Sequence, residues 1–95
     1  MKHQLTALAL VLGLCASPSL FAACSRPADP EIPSGDTASG ADMMKAKKAV
    51  ETYIEDVQKY VACGVSNSEE KRVQDDVEKV ADRFNRELRV YKAKS

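Results

Sequence analysis

Gly64-Val65-Ser66-Asn67-Ser68-Glu69-Glu70 divides the C-terminal half of this chain into two amphipathic runs, and the fold follows from that division. Glycine suits the left-handed position after a last helical turn. Four residues, Val65 to Ser68, then suffice for a turn. Ser66 and Glu69 stand in capping-box spacing, each side chain placed to satisfy the other residue's backbone N–H. Ser68 is the alternative cap. Glu69 and Glu70 begin the second run, where the positive end of a helix dipole favours acids.

Upstream of the turn, a helix is predicted over about 42–62. Met43, Val50 and Val57 recur every seven residues, with Ala46, Tyr53 and Tyr60 in the next row and Ile54 and Val61 beside them. That is a helical, coiled-coil-like stripe and not the alternation of a strand. Either Ser39 or Asp42 caps its start. Downstream, a second helix is predicted over about 68–92, with Val73, Val77, Val80, Ala81, Phe84, Leu88 and Tyr91 on one face. A connection this short makes the helices antiparallel neighbours. The expected fold is therefore all-α, a two-helix hairpin in residues 41–95. Two helices cannot cover each other's apolar faces, so self-association or a partner is expected to complete the hairpin.

Residues 24–40 read differently. Pro, Gly, Ser and Asp dominate, and Ile32 is the sole large aliphatic side chain. On composition alone this is a disordered tether, too poor in apolar surface to offset its ordering entropy. Residues 1–23 have the layout of a secretory signal: Lys2 near the start, an apolar run from Leu5 to Leu14, Pro18, then small residues. Ten apolar residues are too few to span a bilayer, which takes about 20.

The leader ends in Phe21-Ala22-Ala23-Cys24, which resembles the lipobox of bacterial lipoproteins, with Phe where Leu is more usual. The resemblance implies a diacylglyceryl group and an N-acyl chain such as palmitate on Cys24. It also implies anchorage in the membrane and, with Ser25 following, sorting to the periplasmic face of the outer membrane. Several acyl chains anchor stably where one is marginal. Residues 41–95 carry no family signature. If Cys24 is lipidated, Cys63 is left as a buried thiol or bridges to a second chain. If Cys24 is unmodified, the two close a large loop in a periplasmic or secreted protein.

Composition argues against most chemistry. The only histidine, His3, lies in the leader, and the chain has no Trp. Beyond Lys2 the charges differ by one in favour of acids and are interspersed, so no nucleic-acid footprint is present. No catalytic residue, metal ligand, cofactor or small-molecule substrate is assigned, and the chain is read as non-enzymatic. The candidates for binding another envelope protein, or a second copy, are Tyr53, Tyr60, Phe84, Arg86, Arg89 and Tyr91. Tyrosine offers apolar area with a hydroxyl, and the arginines suit an acidic partner. The plainer alternative places the tyrosines at core edges and the arginines on a solvated face. The expected function is a small envelope lipoprotein presenting a helical hairpin, with a disulfide-linked inhibitor or immunity-type binder as the alternative.

Overall fold

The computed structural model describes residues 24–94; the expected signal segment and its cleavage site lie outside them. Two helices, α1 (Gly40–Ala62) and α2 (Asn67–Lys94), form the antiparallel hairpin. Each extends about two residues beyond its sequence-based bounds, the usual uncertainty at helix ends.

Ser39 is the N-cap of α1. Its Oγ accepts the Asp42 N–H at 3.1 Å, and its own N–H donates to Asp42 Oδ2 at 3.1 Å. The Ser39 backbone N–H, and then its side-chain hydroxyl, hold the Asp42 carboxyl below its ordinary pKa. At the other end the Cys63 and Gly64 N–H groups close the last turn onto Tyr60 and Val61, and Gly64 adopts φ 92°. Only glycine takes that left-handed turn without strain. Ser66 caps α2: its carbonyl accepts the Glu70 N–H at 2.9 Å and its Oγ the Glu69 N–H at 3.1 Å. The reciprocal half of the expected box is absent from the bonds around Ser66, because the Glu69 carboxylate turns to Tyr60 and Arg26 instead.

The core is a row of β-branched residues and one ring: Val50, Tyr53 and Val57 of α1 against Val73 and Val80 of α2. Val73 is the most deeply buried, at 1% exposure. We expect Val73→Ala to lower the unfolding free energy by about 2 kcal/mol, read from urea denaturation, since it removes two packed methyl groups and leaves a void.

Residues 24–39 are not the loose tether their composition suggests. They form a strap, without helix or strand, that runs from the hairpin tip to its base along one face. Ile32 packs on the core, and Gly35 and Ala38 are buried. Pro27, Pro30 and Pro33 recur every third residue and are all half-buried. Three residues make one turn of polyproline II, so such prolines share a side. Pro27 and Pro30 lie against Ala49 and Tyr53 of α1, and Pro33 lies near Ala46. The prolines lower the entropy that the unfolded strap can lose. A few apolar contacts therefore hold what composition alone marks as disordered.

Candidate interaction surface

The strap and the open groove divide the hairpin into two unlike faces. On the strap face, a disulfide and several polar bonds fix the segment at its two ends. At the tip, Cys24 is disulfide-bonded to Cys63, with the Cα atoms 5.6 Å apart. The Cys63 side chain is therefore exposed and paired, in place of the buried thiol expected for it. Beside the disulfide, Arg26 meets Asp76 Oδ2 at 2.6 Å and Glu69 Oε2 at 3.7 Å. The hydrogen bond that Arg26 donates to Asp76, then the charge of Glu69, pushes the Arg26 pKa further up. At the base, the Gly35 N–H donates to Glu87 Oε1 at 2.9 Å. Lys94 Nζ donates to the carbonyls of Asp36 at 2.7 Å and Ala38 at 3.1 Å, securing the turn that feeds α1.

Tyr53 lies beneath this strap at 5% exposure. Burial pushes its hydroxyl up to about 12, and the nearby carboxylates of Asp29 and Asp76 add to the shift. The folded state thus favours the neutral ring. That contribution is complete below the unfolded tyrosine value of 10.0 and is lost as pH rises through about 12. In an alkaline titration we expect one phenolate to form near pH 12, together with loss of helical circular dichroism. Tyr53→Phe should remove that late ionisation step.

The opposite face is uncovered. Near the tip, Ile54, Val57 and Val61 of α1 and Val77 of α2 line a groove edged by Gln58, Gln74 and Glu78. Toward the base, the same face continues through Met43, Met44, Phe84, Leu88 and Tyr91, with Lys47 at its edge. Met44 is 57% exposed, more than any other large apolar side chain among the described residues. A contiguous apolar strip rimmed by polar residues is what binding faces present.

The six sequence candidates separate on this framework. Phe84 and Tyr91 come together at the base of the open groove. Tyr53 lies under the strap, and the Tyr60 hydroxyl donates to Glu69 at 2.8 Å, which raises its pKa. Arg86 and Arg89 are exposed and line neither part of the groove. Sequence reasoning passed over Ile54, Val77 and Met44 as surface features, because a helical stripe does not reveal which half of it a second element will cover. It also passed over Arg26, Gly35 and Lys94, whose partners lie far along the chain.

Among the described residues, no three His, Cys, Asp or Glu side chains are grouped as metal ligands would be, and no helix is long and apolar enough to cross a membrane. The chain matches no protein-family model, no curated protein and no solved structure.

Proposed function

We propose that this chain is an exported bacterial envelope protein, periplasmic or secreted, whose disulfide-closed hairpin is a non-enzymatic protein-binding module. The observation that carries this reading is the Cys24–Cys63 bond. Disulfides persist in oxidising compartments, and small exported domains use them where the core is thin. The signal-like leader independently directs the chain to the same compartment. The open groove supplies the surface by which a binder of the inhibitor or immunity kind would hold its protein partner.

The lipid-anchored reading retains one observation in its favour, the lipobox-like Phe21-Ala22-Ala23-Cys24. A thioether and a disulfide cannot share one sulfur, so the two readings are distinguishable forms of the same chain. Intact-mass analysis of protein recovered from the host envelope separates them. The disulfide reading expects an unlipidated mature chain whose Cys24 and Cys63 react with a thiol reagent only after reduction. A lipid-sized adduct on Cys24, with Cys63 free to alkylate, overturns it in favour of a membrane-anchored hairpin.

A further inference from the structure

We propose that the hairpin docks base-first on an anionic lipid bilayer, with its disulfide-closed tip pointing away from the surface. Arg86 and Arg89, which line neither part of the groove, belong to this basal end. The basis is where the antiparallel fold puts every charge of the described chain.

Along the sequence acids and bases are interspersed, but the hairpin sorts them. Val50 and Val80 share the core and mark its middle. Toward the base lie residues 31–50 and 80–94, with eight Lys and Arg against five Asp and Glu. Toward the tip lie residues 24–30 and 51–79, with five bases against nine acids. The molecule is thus positive at one end and negative at the other. Two of the basal acids are engaged by the strap: Glu87 accepts the Gly35 N–H and Asp42 the Ser39 N–H. Lys45, Lys47, Lys48, Arg83, Arg86 and Arg89 are all exposed.

These bases surround the end instead of lining one face. Lys47 edges the groove, while Lys45 and Arg83 border the cleft beside Ile32 and Pro33 of the strap. Arg86 stands two residues from both Phe84 and Leu88, more than half a turn of helix, and so faces away from the groove. The two large apolar side chains left exposed among the described residues, Met44 and Val90, are also basal. They too lie on different sides, Met44 at the groove and Val90 two residues round the helix from Leu88. A protein partner would read one face of this end. A bilayer meets all of them together: headgroup phosphates answer the encircling bases, and Met44 and Val90 reach the acyl boundary. Lysine and arginine stems lie along such a boundary with their charges among the headgroups. The same surface repels the acidic tip, so docking orients the hairpin and leaves the tip half of the groove facing solvent.

Co-sedimentation of the oxidised, unlipidated protein with lipid vesicles tests the proposal. We expect binding to vesicles of phosphatidylglycerol and phosphatidylcholine in about 0.1 M salt, none to phosphatidylcholine alone, and release as salt is raised. Arg86→Glu with Arg89→Glu should weaken binding about tenfold or more. Lys71→Glu with Arg72→Glu changes the net charge equally, but at the tip, and should leave binding unchanged. Helical circular dichroism checks that each variant folds. Should the arginine variant lose its helices, Lys45→Glu with Lys48→Glu makes the same test from α1. Wild-type protein that stays in the supernatant with anionic vesicles overturns the proposal, as does equal binding to neutral ones. Equal losses from the basal and tip variants overturn the assignment to the base. Displacement by soluble poly-glutamate at matched charge overturns the bilayer in favour of an acidic polypeptide. None of these results bears on the thiol and mass measurements that test the binding-module reading.

Discussion

Replacing Cys63 with Ser is expected to cost the protein about 4 kcal/mol of unfolding free energy. The bond joins residues 39 positions apart, and closing a loop of that length removes about this much chain entropy from the unfolded state. The domain is small, and domains of this size have little stability to spare. The variant is thus expected to be largely unfolded at 25 °C. Urea denaturation of oxidised and reduced wild-type protein should reproduce the same difference, which separates the bond from any effect of the serine. Equal midpoints for the two redox forms would mean that the strap is held without its covalent clasp.

Gly35→Ala is expected to be the most damaging change that removes nothing. Gly35 lies directly on the backbone of α2. A Cβ there would overlap the Glu87 carbonyl oxygen and sit 2.8 Å from the Tyr91 nitrogen. Those are helix backbone atoms, which cannot swing aside as a side-chain end would. The strap must lift, breaking the Gly35–Glu87 bond and loosening the turn that Lys94 secures. A cost of about 3 kcal/mol is expected, at the upper end for overpacking. The damage should be local in hydrogen exchange: amides of residues 34–39 and the first turn of α1 should lose protection, while those around Val73 keep theirs. Uniform loss along both helices would instead show that hairpin and strap unfold as one unit.

Both helices were legible because their information is local. The seven-residue recurrence of Met43, Val50 and Val57, the glycine at 64 and the serine at 66 each act within a turn or two of themselves. The strap was not, because its partners are distant and its composition mimics a linker. One signal was available. Pro27, Pro30 and Pro33 repeat at the period of an extended helix, with Ile32 between them, which is an unusual regularity for a segment with no structure to keep. The open groove was legible only in part. Phe84 and Tyr91 stood out as aromatics, but their neighbours Met44 and Lys47 acquire meaning only once the strap has chosen the opposite side. The same choice buries Tyr53, which the sequence alone offers equally to core and surface.

The strap also imposes an order of events. Its fixing points join Cys24 to Cys63, Arg26 to Asp76, Gly35 to Glu87 and Asp36 to Lys94, spanning 39 to 58 residues. Every one of them waits for chain that emerges later. During synthesis the strap emerges before either helix, with no surface to rest on, and its final anchor is Lys94, in the last turn of α2. The helices, rich in local contacts, form quickly, whereas closure of the long loops is slower. The N-terminal segment is therefore first out and last home. Until it docks, Cys24 remains a free thiol open to other chemistry.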